Sequence, residues 1–269
     1  MNQNVFFSII LPTYNREKKI LKAINSVVAQ TFKNWELIII NNKSNDETEK
    51  IVKSFKSKKI FFHQIENRGV IAKSRNYGIS KSSGNYLCFL DSDDWWDKDK
   101  LKYVNLAAEK GYSFIYHDHY VCTPNRLIKK RKIISKPLAK PVFINLIKYG
   151  PFFATSSVVV EKNIFKKINC FDTDKKYIAW EDWDAWLRMS KITDSFCKVD
   201  KTLSTVLVDG KNLLDSNLVI KNMKLFFEKY IKSDQQIPEW CLYSLLSSEY
   251  KLGLYKETKE TLKKINFFK

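Results

Sequence analysis

The tetrapeptide Asp91-Ser92-Asp93-Asp94 gathers three carboxylates just after the apolar residues Phe89 and Leu90. Negative charge collected in one place is costly unless a cation neutralises it. A hard divalent ion such as Mn²⁺ or Mg²⁺ takes one or two carboxylates, keeps waters and completes its shell with phosphate oxygens, so the cluster suits a diphosphate substrate. The plainer reading is an Asp-rich turn capping a helix that begins near Asp97. A second acidic group is Trp180-Glu181-Asp182-Trp183-Asp184, followed by Trp186-Leu187-Arg188. A carboxylate at a helix start beside bulky aromatics has the composition of a general base with walls that position a ring-shaped substrate. The helix dipole, which favours N-terminal carboxylates, accounts for Glu181 and Asp184 without any chemistry. His117-Asp118-His119 has metal-like spacing, and strand alternation puts both His on one face, yet no third ligand accompanies them. They read as cleft lining or as ordinary structure, with the latter favoured.

These groups must be positioned by elements whose apolar spacing is legible. Val5 to Leu11, Trp35 to Ile40, Ile60 to Gln64 and Tyr86 to Leu90 read as buried strands. Between them lie a helix carrying Ile20, Leu21, Ile24, Val27 and Val28, one opened by a Ser44/Glu47 capping box, and one over Val70 to Ser80. Continuous apolar strands alternating with helices predict a mostly parallel sheet covered on both faces. Such sheets bind ligands beyond the carboxyl ends of their strands, where Pro12-Thr13-Tyr14-Asn15-Arg16, Asn41-Asn42-Lys43-Ser44 and the Asp91 cluster fall. Residues 112–208 add short strands at Phe114 to Tyr116, Ser156 to Val160 and Thr202 to Val208, and a helix near Asp182 to Met189. From about Asp215 the pattern is helical, with a hairpin turning near Gly253.

The chain has 269 residues, 44% hydrophobic and 14% aromatic, with seven Gly and six Pro, which excludes disordered and low-complexity classes. Its formal charge of +18 invites an anionic partner. Of 47 basic residues only six are Arg, however, and the Lys and Asn richness fits an AT-rich genomic background. Sequence-specific nucleic-acid reading, which favours the Arg fork, is not expected. Five Cys without a C-x-x-C pair read as reduced thiols of a cytosolic protein. Without a leader or an apolar window of ~18 residues, any membrane contact is expected to be peripheral. Local clustering remains in Arg126, Lys129, Lys130, Arg131, Lys132, Lys136 and Lys140, interleaved with Leu127, Ile128, Ile133 and Ile134. This run reads equally as a surface for an anionic bilayer or as a solvated mobile loop.

Asn67-Arg68-Gly69, Arg75-Asn76-Tyr77-Gly78 and Gly84-Asn85-Tyr86 precede Asp91-Ser92-Asp93, and Glu181-Asp182 follows. Together with Pro12-Thr13-Tyr14-Asn15, this ensemble resembles the inverting glycosyltransferase family 2 over about residues 1 to 210. The resemblance implies an α/β GT-A fold, Rossmann-like with helices on both faces, plus a C-terminal helical extension. Its domains would be 1–212, divided into a nucleotide-sugar half at 1–97 and an acceptor half at 98–212, and a helical region at 213–269.

By resemblance Asp182 is the general base. Pro12, Thr13, Tyr14, Asn42, Arg75 and Asp91 contact the nucleotide, Tyr14 by stacking unless it merely packs at the strand end. Asp91 and Asp93 hold the Mn²⁺ or Mg²⁺, and Asp94, Trp180, Glu181 and Trp183 face the acceptor. Two departures stand out. Asn41-Asn42 replaces an Asp-Asp pair whose carboxylate accepts from the uracil imide, so a neutral carbonyl would do this more weakly and thymidine diphosphate sugars stay open. Asp209 stands near a metal-reaching His of relatives, as a substitute ligand or a plain loop residue.

The expected activity is transfer of a sugar, from a uridine diphosphate sugar above all, to a growing lipid-linked glycan of a bacterial surface polysaccharide or lipopolysaccharide. The setting implied is the inner face of the cytoplasmic membrane, with no nucleic-acid partner and with self-association through the helical tail allowed. Two rivals remain open at this stage: a phosphohydrolase of the haloacid dehalogenase type, and a sugar-nucleotide-binding module without turnover.

Overall fold

A computed structural model of the chain describes residues 4–124, 130–209, 215–231 and 236–265. Its first part alternates as the apolar spacing demands: β1 (Phe7–Thr13), α1 (Ile20–Val28), β2 (Trp35–Asn41), α2 (Thr48–Lys53), β3 (Ile60–Gln64), α3 (Ile71–Lys81) and β4 (Tyr86–Phe89). β1 lies between β2 and β4 and is parallel to both, and β3 extends the parallel set beyond β2. Side-chain alternation divides β1 and β2 between two cores. Ile10, Ile38 and Ile40 face one, while Ile9, Leu11, Leu37 and Ile39 face the other. Gly78 lets α3 settle on the first face, since a Cβ there would stand 2.6 Å from Ile40 Cδ1.

The second part supplies β5 (Trp95–Trp96), α4 (Lys100–Ala108), β6 (Phe114–Cys122), β7 (Lys130–Ile133), α5 (Val142–Tyr149), β8 (Val158–Glu161), α6 (Lys162–Lys167), α7 (Glu181–Ser190) and β9 (Phe196–Leu207). The sheet runs β3-β2-β1-β4-β8-β6-β9-β5, with β7 paired to β6. β8 is antiparallel to both β4 and β6, and β9 is parallel to β6. Three C-terminal helices follow, α8 (Ser216–Tyr230), α9 (Glu239–Lys251) and α10 (Tyr255–Lys264), turning at Gly253 with φ +72°. Met223, Phe226, Tyr230, Cys241 and Leu245 share one buried cluster with α7, so α8 and α9 pack onto the sheet domain.

Several local expectations are corrected. Ser44 does not cap α2: its hydroxyl donates to Asn41 Oδ1, and Asp46 Oδ1 accepts from Thr48 N. β6 and β9 extend well beyond the apolar residues that suggested them, because partner strands supply their backbone bonds. The part of the basic run at 130–133 is the exposed strand β7 rather than a loop, and Arg126 and Lys129 lie outside the described residues. The β6–β9 register shifts on both sides of Asp118, so simple alternation does not relate His117 to His119. All three residues are buried, and burial lowers the pKa of both imidazoles.

Candidate active site

The carboxyl ends of β1, β2 and β4 bring three polar turns together, and the acidic one is the best anchored. After β4 the chain closes a turn with Asp94 N donating to Asp91 O. Asp94 points inward: Ser156 Oγ donates to its Oδ2 at 2.6 Å and Leu207 N to its Oδ1 at 3.0 Å. Burial, reinforced by the charges of Asp91 and Asp93, pushes its pKa well above the usual carboxylate range. Asp94 is thus an internal anchor and not an acceptor contact. Ser156 also accepts from Asp91 N at 3.1 Å, while its carbonyl accepts from Trp96 Nε1 and Lys100 Nζ. Lys100 is fully buried beside the Trp96 ring, and burial lowers its pKa to about 7.

Anchoring Asp94 leaves Asp91 and Asp93 at the surface of the turn. Asp93 Oδ2 lies 3.5 Å from Arg16 Nη2 and 4.0 Å from Lys19 Nζ, and Lys19 also reaches Asp209 at 2.5 Å. The β1 turn therefore meets the acidic turn, and an ammonium stands between Asp93 and Asp209, where carboxylate charge calls for a cation. Among the described residues no three His, Cys, Asp or Glu converge as a complete metal cage. Two hard oxygen donors in an open turn fit Mn²⁺ or Mg²⁺, which completes its shell with phosphate and water.

Asp182 opens α7. Its Oδ2 accepts from Thr155 Oγ1 and its Oδ1 from Trp183 N. Thr155 and Ser156 are adjacent on the short 3₁₀ turn Thr155–Ser157, so a single dipeptide grips both the Asp182 carboxylate and the acidic turn. A second link runs through Arg75, whose side chain is 4% exposed: Nη1 donates to Glu181 Oε1 at 2.6 Å and Nη2 to Asp91 Oδ1 at 2.8 Å. Burial opposes the guanidinium charge, but Asp91, Glu181 and Asp182 outweigh it and raise its pKa. Burial likewise raises Glu181, against the pull of Arg75. Arg75 and Glu181 are consequently an internal brace between the two acidic groups.

The remaining candidates divide by exposure. Pro12 and Thr13 lie within β1, opposite Ile40 and Asn41, whereas Tyr14 is 51% exposed at the strand end. Asn41 is buried and accepts from Ser44, and Asn42 Oδ1 accepts from Asn67 N at 2.8 Å. Trp180 and Trp183 do not form an open wall: both are buried, Trp180 against Phe226 and Trp240 and Trp183 against Phe153 and Trp240. Asp184 is fully buried and accepts from Arg188 Nε at 2.7 Å, Lys229 Nζ at 2.6 Å and Tyr230 Oη at 2.6 Å, which pins α8 to α7. Thr155, Ser156, Arg16 and Lys19 carry no chemical spacing signal, and sequence reasoning assigned them no role.

The sequence and the fold have counterparts among known proteins. Residues 8–169 match the family described as Glycosyl transferase family 2. An uncharacterised glycosyltransferase of Rickettsia typhi is 31% identical over 73% of this chain and 63% of its own length. The Escherichia coli protein UDP-Glc:alpha-D-GlcNAc-diphosphoundecaprenol beta-1,3-glucosyltransferase WfgD is 30% identical over 68% of this chain and 69% of its own. Another Rickettsia relative, from R. conorii, is matched over only 44% of its length, so the chain spans less than two thirds of either of these two proteins. In structure, the chain is similar to Staphylococcus aureus TarS 1-349 in complex with UDP-GlcNAc, with a TM-score of 0.68 at 20% identity over 91% of this chain and 73% of that one. It is also similar to the Pyrobaculum calidifontis mannosyltransferase PcManGT in complex with GDP-Man and Mn²⁺, with a TM-score of 0.62 at 14% identity over 94% and 75%. These likenesses show a GT-A-like fold. A family match across most of the sheet, carrying the acidic turn that Ser156 anchors, answers the question of kinship: the chain belongs to glycosyl transferase family 2.

Proposed function

We propose that this chain is an inverting glycosyltransferase. It moves a sugar from a nucleotide diphosphate sugar, a uridine diphosphate sugar first, to a hydroxyl of a lipid-linked glycan in bacterial surface polysaccharide assembly. The observation that carries this reading is the fixed relation between Asp182 and the Asp91–Asp93 turn, braced by Arg75 and by Thr155–Ser156. WfgD supports the donor and acceptor classes by its name, and the Erwinia amylovora relative AmsB, named for amylovoran biosynthesis and 28% identical over 75% of this chain, supports the setting.

Tyr14 stacks on the nucleotide base, with the Asn42 side chain beside it at the end of β2. Asp91 and Asp93 would hold the divalent cation, which when bound would supply positive charge to the leaving diphosphate. Arg16 and Lys19, beside Asp93, add cationic charge on the same side. Asp182 takes the proton of the acceptor hydroxyl as its oxygen forms a bond to the anomeric carbon. The bond from that carbon to the diphosphate oxygen breaks, and the electron pair leaves with the nucleotide. Attack opposite the leaving group inverts the configuration, so an α-linked donor yields a β-glycoside. Thr155 holds Asp182 in place throughout.

No helix among the described residues is long and apolar enough to cross a membrane. The reading therefore places the described part peripherally at the inner membrane face, where a lipid-linked acceptor is presented. Asp182→Asn tests the assignment: nucleotide binding with Mn²⁺ should persist while transfer falls at least a hundredfold, as loss of a general base demands. Full transfer by the variant would overturn it.

A further inference from the structure

A groove of about 710 Å³ lies between α5 and the start of α9, and none of Asp91, Asp93 and Asp182 lines it. We propose that it takes the apolar chain of a polyprenyl diphosphate-linked acceptor, with the diphosphate held at its mouth by Lys136 and Lys148. This deepens the glycosyltransferase reading and rests on it for the identity of the acceptor.

The lining is built for an apolar guest. Ile144, 54% exposed, and Ile147 come from α5, Ile231 ends α8, Ile237 precedes α9, and Trp240 and Tyr243 come from α9. Helix α5 buries Val142 and Leu146 and turns Ile144 outward, which leaves apolar surface exposed among the described residues. The floor is rigid. Trp240 Nε1 donates to Ile147 O at 2.8 Å, and its ring fits against Gly150, where a Cβ would stand 2.5 Å from the indole. The volume falls within the range of small-ligand sites, roughly 300–1,000 Å³.

The mouth carries the charge. The Nζ atoms of Lys136 and Lys148 stand 4.3 and 5.3 Å from the centre of the single Tyr149 ring, so both ammonium groups lie against one lining side chain. Neither forms a salt bridge among the described residues, and one carboxylate, Glu239, also lines the groove. Two like charges held beside one ring favour an anion that joins them. A concave apolar slot with cations at one end matches a single amphiphile with an anionic head better than the broad face of a bilayer.

The groove is also joined to the chemistry. Trp240 packs against Trp180 and Trp183, which flank Glu181 and Asp182. From Gly150 the chain passes through Phe152 and Phe153, itself against Trp183, to Thr155 and its bond to Asp182. A chain seated in the groove would therefore hold its attached glycan near a wall shared with the base.

Calorimetry with farnesyl diphosphate, inorganic pyrophosphate and farnesol, in the absence of divalent metal, separates the parts. Farnesyl diphosphate should bind at least tenfold more tightly than either fragment. Ile144→Glu, at an exposed position, and Lys136→Glu/Lys148→Glu should each weaken it at least tenfold with an unchanged Tm. In transfer assays Ile144→Glu should raise KM for a polyprenyl diphosphate-linked glycan at least tenfold and leave KM for the same glycan on a short soluble aglycone unchanged.

Pyrophosphate binding as tightly as farnesyl diphosphate, or indifference of both measurements to Ile144→Glu, overturns the proposal. So does binding to vesicles of anionic lipid that Ile144→Glu weakens while farnesyl diphosphate binding is unaffected. If farnesyl diphosphate binds as expected but no sugar is transferred to any acceptor, the groove stands and the glycosyltransferase reading falls.

Discussion

The hydroxyl of Thr155 donates to the Oδ2 oxygen of Asp182 across 27 positions of sequence, while the next residue, Ser156, donates to Asp94 and accepts from Asp91 N. One dipeptide thus sets the distance between the proposed base and the acidic turn.

Thr155→Val keeps the shape and removes the donor. A hydrogen bond to a charged group is worth about 1.5–3 kcal/mol, so kcat should fall roughly 10- to 100-fold, with KM for the nucleotide sugar unchanged. Thr155→Ser should restore most of the rate. Steady-state kinetics of both variants check this, and a loss confined to KM would contradict the positioning role.

Arg75 is buried between Glu181 and Asp91, so Arg75→Met leaves Glu181 as a buried carboxylate without its cation. The expected loss is about 3–5 kcal/mol in denaturant unfolding. Arg75→Lys should recover little, because one ammonium cannot reproduce a fork that reaches two carboxylates. Adding Glu181→Gln to Arg75→Met should lose markedly less than the two single losses together, which a double-mutant cycle measures.

Asp184 should make stability acid-sensitive. Burial works against its charge, but Lys229, Tyr230 and Arg188 hold its pKa below the usual carboxylate value. A depressed folded pKa contributes stability that is present above the unfolded value, about 3.9, and is lost as pH falls through the folded value. Wild type should therefore exceed Asp184→Asn in Tm at neutral pH, and the gap should close only below about pH 4. A gap that persists unchanged at pH 3 would refute the assignment.

Lys100 should give a slope of the same sign in the alkaline range. Burial lowers its folded pKa to about 7, against about 10.4 in the unfolded chain. Between these values the unfolded chain binds more protons, so the Lys100 contribution makes stability rise with pH by about 1.4 kcal/mol per unit. Lys100→Met should remove that slope between pH 7 and 10, as read by urea unfolding at successive pH values.

The sequence by itself determined the parallel β1–β4 core, because apolar runs of strand length alternating with helical spacing have few other ways to be buried. It also marked the acidic turn, Asp182 and Tyr14, since chemistry leaves carboxylates and an aromatic at strand and helix ends. The tertiary structure alone decided which of these neighbours are buried and what they hold. Asp94, Glu181, Arg75, Trp180 and Trp183 have types suited to a substrate site, but their burial turned them inward as anchors, a brace and packing. Thr155 and Ser156 are ordinary residues in sequence. They acquire their role only because β8 runs antiparallel beside β4 and carries their turn between Asp91 and Asp182. Pairing partners and burial are long-range properties, set by what the rest of the chain places opposite a residue, so no local spacing could have revealed them.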